Sequence, residues 1–263
     1  MSGIIDFHTH AFPDRIAEKT VEKVASLGDV VPSLDGKLSS LLDSMDRHGI
    51  ERSVLCSIAT KPSQFENIMK WSRSFASDRF VMFPSVHPDD PLALEHISAV
   101  AAEGFKGLKL HPYYQNFVLD DERIFPLYEK IEECGLILLF HAGYDVGYPR
   151  ERVANPVRIV RVAEMFPSLK IVAAHMGGWG DWDNVEKYMV GKHIYFDTSF
   201  AVRLCGKEQA ARIIKAHLPE YLLFGTDSPW TDQGEEIDMI NDLDIDDALK
   251  EQILWGNARK LLI

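Results

Sequence analysis

The sequence predicts an α/β fold of the (β/α)8 barrel type, also called a TIM barrel. Eight short apolar runs occur along the 263 residues, and each is followed by a stretch with helical patterning. The ends of successive runs lie about 31 residues apart, which matches a βα unit of about 30 residues. No G-x-G-x-x-G follows the first run, so a doubly wound open sheet is the weaker alternative.

The eight runs are rich in Ile, Val, Leu and Phe, as expected of parallel strands that are buried on both faces. Turn residues such as Pro88, Pro112 and Gly143 close most of them. In chain order the predicted strands are Ile4–Thr9, Ser53–Ile58, Phe80–Val86, Gly107–His111, Leu136–His141, Lys170–His175, Ile194–Asp197 and Tyr221–Thr226. Between the fourth and the fifth, a helix is predicted to begin near Phe125 and to stop at Gly135, because its apolar residues recur at helical spacing.

Composition and charge exclude several classes of protein. Hydrophobic residues make up 46% and charged residues 26% of the chain, as in ordinary globular proteins. No Pro/Ser-rich linker interrupts the pattern, so we expect residues 1–263 to form a single domain. A formal net charge of −12 argues against nucleic acid as a partner, since its binders need a basic surface. No apolar run is long enough to span a membrane.

Cysteine usage and the first residues point to the cytoplasm. The three cysteines, Cys56, Cys134 and Cys205, are odd in number and far apart, so a disulfide framework is not expected. The N-terminus lacks the basic segment of a signal peptide. We therefore expect a cytoplasmic protein with a small-molecule substrate and no membrane partner. The sequence leaves open whether it forms a homo-oligomer.

In such a barrel the active site lies at the carboxyl ends of the strands. His8 and His10 end the first predicted strand, and alternation along the strand predicts that both point into the barrel. Other strands end with further candidates, which are Lys109 with His111, His141, His175 and Asp227. Each alone is compatible with a core residue satisfied by hydrogen bonds, and Lys109 with an ion pair to Asp6 or Asp197. As a set, they favour a metal-dependent active site.

The chemistry of a catalytic metal explains this preference. Catalytic zinc takes about three protein ligands from His, Asp and Glu and keeps one position open for water. The metal lowers the pKa of that water toward about 7. A carboxylate at the metal can then take the proton of the water, and a further imidazole can serve as acid or electrophile.

The motifs at the strand ends stand in a fixed order: His8-x-His10, Lys109, His141, His175 and Gly225-Thr226-Asp227-Ser228-Pro229. This ordered set resembles the amidohydrolase superfamily. It resembles most closely the amidohydrolase-2 branch, which contains metal-dependent hydrolases and the aminocarboxymuconate-semialdehyde and γ-resorcylate type decarboxylases. The resemblance runs from about Ile4 to the end of the chain and includes the C-terminal Gly256–Leu262 segment.

The resemblance implies a distorted barrel that holds one divalent metal ion, usually zinc, through His8, His10, His141 and Asp227. It also implies that His175 is the acid/base or electrophile beside the metal. In a hydrolysis we expect Asp227 to shuttle the proton. In binuclear members a carboxylated lysine on the fourth strand bridges two ions, and the sixth-strand histidine binds the second. A second ion therefore stays an alternative. We expect one ion and an uncarboxylated Lys109.

Substrate binding is expected to involve Lys109, His111, Tyr113 and Arg203. Aromatic rim residues combined with an arginine suit a small aromatic or cyclic carboxylate. The alternatives are loop packing for an aromatic residue and a surface ion pair for the arginine. The resemblance also implies a smaller or more open pocket than that of the decarboxylases, because the βα loops are short.

Three functions follow from this set of residues. The first is hydrolysis of a small ester, lactone or amide by metal-activated water, with His175 or Lys109 stabilising the oxyanion. The alternative is non-oxidative decarboxylation of a small aromatic or unsaturated carboxylic acid. The third is a catalytically inactive barrel that serves as a binding module, against which the complete ligand set argues.

Overall fold

The computed structural model describes residues 3–75 and 77–262. Within these ranges the chain forms eight parallel strands in the predicted order. Strands β1 to β8 are Ile4–Thr9, Ile50–Cys56, Phe80–Phe83, Gly107–Leu110, Ile137–Phe140, Lys170–Ala173, Tyr195–Asp197 and Leu222–Leu223. Most end slightly earlier than predicted. His111, His141, His175 and Asp227 therefore lie in the turns that follow their strands.

The strands belong to two hydrogen-bonded sheets, β1–β2–β3 and β4–β5–β6–β7–β8. Backbone hydrogen bonds at both junctions close them into a barrel. At one junction the amide of Phe7 donates to the carbonyl of Phe224 over 2.7 Å, and at the other the amide of Lys109 donates to that of Pro84 over 2.8 Å. The (β/α)8 barrel fold predicted from the sequence is thus confirmed.

Helices connect the strands and cover the outside of the barrel. Helices α1 to α12 of the described ranges are Asp14–Gly28, Leu38–His48, Phe65–Arg73, Ala93–Ala102, Phe125–Glu133, Pro156–Met165, Trp182–Tyr188, Val202–Cys205, Lys207–Ala216, Gln233–Asn241, Asp247–Glu251 and Asn257–Leu261. The predicted helix at Phe125 is confirmed, and Gly135 follows it in a left-handed conformation with a φ of 66°. In the part of the chain that the structure describes, none of these helices has the length and apolarity of a membrane span.

Two apolar layers pack on the two sides of the barrel wall. Leu108 and Leu110 of β4 pack in the layer shared with the helices, as the sequence predicts. The inner layer is built from alternate residues of several strands, among them Phe7, Val54, Phe83, Leu139 and Val172. The register of β1 shifts between Asp6 and Thr9. This irregularity lets Phe7 join the inner core while the next residue, His8, contacts Lys109.

Candidate metal centre

The carboxyl ends of β1 and β8 bring three predicted metal ligands together. The Nε2 atoms of His8 and His10 lie 3.5 and 3.3 Å from Oδ1 of Asp227. Backbone hydrogen bonds fix this approach, because the amide of Asp227 donates to the carbonyl of His8 over 2.8 Å and the amide of His10 donates to that of Ser228 over 2.6 Å. The three side chains are buried, and their ligand atoms are close enough to share one cation.

Hydrogen bonds on the far side of each ring determine which nitrogen faces Asp227. Nδ1 of His10 lies 3.0 Å from the carbonyl oxygen of Cys56. A carbonyl can only accept, so this Nδ1 carries the ring proton. Nδ1 of His8 donates to Oδ2 of Asp197 over 3.0 Å. In a neutral ring, Nε2 is then the nitrogen that is free to bind a metal ion. Proteins commonly orient metal-binding imidazoles through such a hydrogen bond on the other nitrogen.

His141 and His175 form a second pair of the same kind. Nε2 of His141 donates to the carbonyl of Tyr144 over 2.7 Å, and Nδ1 of His175 donates to the carbonyl of Ser199 over 2.9 Å. The two remaining nitrogens, Nδ1 of His141 and Nε2 of His175, lie 3.0 Å apart. Burial, and after it the neighbouring His141, lower the pKa of His175 to about 3. At neutral pH we therefore expect no proton between these two nitrogens.

The donor atoms fit a divalent cation. Unprotonated ring nitrogens and a carboxylate oxygen repel one another at 3.0 to 3.5 Å unless positive charge lies between them. Burial opposes the charged form of Asp227, yet its pKa lies below the ordinary range, so the group is a carboxylate. Imidazole nitrogens with a carboxylate oxygen are ligands that several divalent metals accept. The residues thus fit the cation that the resemblance implies.

The four predicted ligands do not form one group of atoms. His8, His10 and Asp227 lie together, whereas the free nitrogen of His141 faces that of His175. His175, which we expect to act as the acid or base, is thereby placed in direct contact with a predicted ligand. The number of ions, and the assignment of His141 to the same ion as the other three residues, stay predictions.

Lys109 is almost fully buried, with 1% of its surface exposed. Its Nζ lies 2.9 Å from Nε2 of His8, the nitrogen that a metal would use. Asp6 and Asp197, its alternative partners, accept hydrogen bonds from Thr226 and His8 instead. Burial lowers the pKa of Lys109. The side chain is within reach of the centre, and its role in substrate binding stays a prediction.

Aromatic rings surround the second histidine pair. The ring of His111 stacks on Tyr114 and on His141, with centroids 3.9 and 4.4 Å away. Its Nε2 lies 3.5 Å from Oδ2 of Asp145, a carboxylate that the sequence pattern does not single out. Trp179 meets the ring of His175 edge-on at 5.0 Å. These flat surfaces give the centre an aromatic wall. A substrate contact by His111 stays a prediction.

Two predicted substrate-binding residues already have protein partners. The hydroxyl of Tyr113 donates to the carbonyl of Glu151 over 2.5 Å. The guanidinium of Arg203 pairs with Glu236 at 2.9 Å and with Glu235 at 3.0 Å. The structure thus has the ion pair that was the alternative for Arg203. A substrate carboxylate would have to compete with two glutamates for this guanidinium, so the predicted roles of Tyr113 and Arg203 gain no support here.

Asp197 and Ser199 belong to the centre although the sequence pattern does not assign them to it. Both are buried at the end of β7. Asp197 accepts a hydrogen bond from His8, and Oγ of Ser199 lies 3.1 Å from Nδ1 of His175. A carboxylate that ends an apolar strand at the catalytic rim is the signal that could have identified Asp197.

The relatives found by comparing the sequence with known proteins include a decarboxylase and dihydroorotases. A γ-resorcylate decarboxylase from Polaromonas sp. (strain JS666) is 23% identical over 292 residues, which cover 88% of this chain and 90% of the relative. A dihydroorotase from Ectopseudomonas mendocina is 32% identical over 112 residues, but these cover only 38% of this chain and 32% of the dihydroorotase. The decarboxylase is therefore similar over nearly its whole length, and the dihydroorotase only locally.

Solved structures with the same fold include two decarboxylases. The 5-carboxyvanillate decarboxylase from Sphingomonas paucimobilis has a TM-score of 0.73 at 18% identity and covers 100% of this chain and 99% of its own. A dihydroxybenzoic acid decarboxylase from Polaromonas sp. JS666, with bound manganese and the inhibitor 2-nitroresorcinol, has a TM-score of 0.72 at 18% identity and covers 100% and 97%. At these identities the likeness shows a shared fold.

A family model supplies the assignment that the pairwise comparisons leave open. The model described as amidohydrolase, of the amidohydrolase-2 type, matches residues 5–262, which include the barrel strands except for Ile4, the first residue of β1, and every residue of the candidate metal centre. The family resemblance predicted from the strand-end motifs is confirmed. The chain belongs to the amidohydrolase family.

Proposed function

We propose that the protein is a metal-dependent, non-oxidative decarboxylase of a small aromatic or unsaturated carboxylic acid. The observation that carries this proposal is the similarity to the γ-resorcylate decarboxylase, which extends over 88% of this chain and 90% of the relative. Hydrolysis, the first expectation from the sequence, has support from dihydroorotases, whose similarity covers a smaller part of this chain and less than half of their own length. The alternative expectation thus becomes the main one.

The aromatic side chains beside the centre also suit a planar acid. Tyr114 and Tyr148, whose ring centroids lie 5.6 Å apart, are the kind of side chain against which an aromatic ring can stack. Pockets of mostly aromatic lining with a few polar groups are typical of small-molecule sites. The polar groups here are Lys109 and the histidines described above.

We assign the metal to His8, His10 and Asp227, with His141 as the fourth predicted ligand. A bound divalent ion would supply positive charge that orients the oxygen atoms of the substrate. Zinc was the expectation from the resemblance, and manganese is the ion in the dihydroxybenzoic acid decarboxylase structure. The donor set accepts both.

Decarboxylation breaks the bond between the carboxyl carbon and the ring, leaves the electron pair on the ring carbon, and requires one proton there as carbon dioxide departs. We assign this proton transfer to Nε2 of His175. That nitrogen is unprotonated in the resting protein and takes its proton from solvent. Because burial lowers its pKa to about 3, the ring is neutral at rest and has to bind a proton before each transfer to the ring carbon. The hydrogen bond from Nδ1 to Ser199 keeps the ring in place.

A hydrolase remains the second candidate because of the local match to dihydroorotase. In that reaction Asp227 accepts a proton from the attacking water, and Lys109 or His175 stabilises the oxyanion. The nitrogens of His141 and His175 that face each other support this candidate, because they offer ligand atoms for the second metal ion of a binuclear member of the family. We further propose that the protein has one domain, is cytoplasmic and acts on a small molecule. It does so as a monomer or as a homo-oligomer.

An assay of carbon dioxide release distinguishes the two reactions. The purified protein, loaded with Zn²⁺ or with Mn²⁺, is incubated with a panel of hydroxybenzoates and unsaturated acids, and in parallel with lactones and cyclic amides. We expect carbon dioxide from at least one acid, and its loss in His175→Asn. Ring opening of a lactone or cyclic amide without carbon dioxide release from any acid would overturn the proposal in favour of the hydrolase.

A further inference from the structure

Asp197 contacts both halves of the centre at once. Its Oδ2 accepts a hydrogen bond from Nδ1 of His8 over 3.0 Å. Its Oδ1 accepts hydrogen bonds from the backbone amides of His175 and Ser199, each over 3.1 Å, and from the hydroxyl of Ser199. The carboxylate is fully buried. Both of its oxygens are therefore committed to donors within the centre.

The hydroxyl of Ser199 extends this arrangement to both rings. Oγ lies 3.0 Å from Nδ1 of His8 and 3.1 Å from Nδ1 of His175. Because its own hydrogen goes to Asp197, Oγ meets the two rings as an acceptor. Asp197 and Ser199, which we call the β7 pair, thus present only acceptor atoms to the Nδ1 positions of His8 and His175.

Asp197 also holds the backbone that carries His175. His175 and Met176 are both left-handed, with φ values of 59° and 53°, a conformation that is strained for residues other than glycine. The amide of His175 donates to the side chain of Asp197, and the amide of Met176 donates to its main-chain carbonyl over 2.6 Å. Asp197 therefore stabilises the turn that carries His175, while Ser199 faces Nδ1 of its ring.

We propose that Asp197 and Ser199 are positioning residues, which force His8 and His175 into the tautomer that leaves Nε2 free for the metal and for the proton of the reaction. The β7 pair touches neither the metal ligand atom of His8 nor the substrate side of His175, so it acts through these two rings. The inference rests on the metal centre of the proposed function. It does not depend on which substrate is used.

Asp197→Asn is a sharp test because the amide has nearly the shape of the carboxylate. Oδ1 faces three donors, so the amide oxygen is expected there and the NH2 group at the position of Oδ2. The NH2 group then meets Nδ1 of His8 as a donor. This donor disfavours a proton on Nδ1, so we expect the proton of His8 to move to Nε2, where it blocks the metal. Hydrogen-bond partners of metal-bound histidines typically change metal affinity by about 10- to 100-fold, and we expect a loss of this size.

The measurements are the Zn²⁺ affinity of the apo protein, by competition with a chelating indicator, and the tautomer of His8, by ¹⁵N chemical shifts of histidine-labelled protein. The signal of His8 is assigned by its disappearance in His8→Asn. Asp120→Asn serves as the control, because Asp120 is a little-exposed carboxylate that pairs with Arg158 and Arg161 away from the centre. We expect unchanged Zn²⁺ affinity in the control. A wild-type affinity and a His8 proton still on Nδ1 in Asp197→Asn would overturn the proposal.

Ser199→Ala provides a second variant that decides the question if Asp197→Asn does not fold. This substitution removes the hydroxyl that faces Nδ1 of both rings, but it leaves Asp197 and the main-chain carbonyl of residue 199 in place. We expect a loss of Zn²⁺ affinity of about threefold to tenfold, the usual effect of one hydrogen bond. An unchanged affinity would refute the role of the β7 pair. A wild-type protein that binds Zn²⁺ but releases no carbon dioxide would defeat the proposed reaction and leave this test valid.

Discussion

Replacing Lys109 by Met separates a single-ion centre from a binuclear one. In the structure, Nζ of Lys109 is 2.9 Å from the lone pair of His8 that a metal needs. If Lys109 is an uncarboxylated ammonium, metal binding must break this hydrogen bond. A hydrogen bond to a charged group contributes about 1.5 to 3 kcal/mol, so Lys109→Met should bind the metal roughly 10- to 100-fold more tightly. Met is unbranched and of similar length, which limits the cavity left at this fully buried position.

The assay is metal content per chain after dialysis, with affinity from competition against a chelator. We expect one metal ion per chain both in the wild-type protein and in Lys109→Met. In the variant, kcat should fall or KM should rise because the substrate loses a contact. Lys250→Met is a suitable control, since Lys250 bonds to the carbonyl of Asn241 away from the centre. A fall from two ions to one or none would show that Lys109 bridges metals as a carboxylated residue, and would refute the reasoning.

Three further predictions concern single side chains. His175→Asn should lower kcat by about 10²- to 10⁴-fold, the usual effect of acid–base catalysis, with metal content unchanged; loss of half the metal would favour two ions. Gly143→Ala should lower the free energy of unfolding by about 3 kcal/mol or more, because its φ is 88° and a Cβ would lie 2.1 Å from the amide nitrogen of Trp179; Gly104→Ala, with a φ of 82° but no atom within 4 Å, should cost clearly less in the same urea titration. Burial lowers the pKa of His217 to about 4, and the unfolded chain takes up this proton near pH 6.5. Stability should therefore fall as the pH drops from about 6.5 to 4, by up to about 3 kcal/mol, and His217→Gln should show a shallower pH dependence of urea unfolding.

The fold was predictable because its signal is local. Each strand is a short apolar run, and each is closed by a turn that is visible in the sequence. The strand ends were less predictable, as β8 shows. This strand was expected to reach Thr226 but ends at Leu223, because the amide of Phe224 donates to the carbonyl of Ile253 rather than to a neighbouring strand. Such a partner, from the C-terminal helical segment, leaves no trace in the local pattern.

The candidate site was predictable where one residue at a strand end carries the chemistry, as for His8 or Asp227. It was not predictable where the chemistry depends on a partner elsewhere in the chain. His8 and Asp197 are 189 residues apart in the sequence, and nothing near either residue shows that they meet. The partner of His10 is a main-chain carbonyl, that of Cys56, which any residue type at that position would supply.

The candidate centre also spans the joint between the two sheets. His8 and His10 come from the three-stranded sheet, whereas Asp227 follows β8 of the five-stranded one. An ion held by all three would act as a cross-link between the halves of the barrel. A ligand at a thousand times its Kd stabilises a protein by about 4 kcal/mol, which raises the Tm of a chain of this size by roughly 10 °C. The melting temperature would then report how fully the centre is loaded with metal in a protein without substrate.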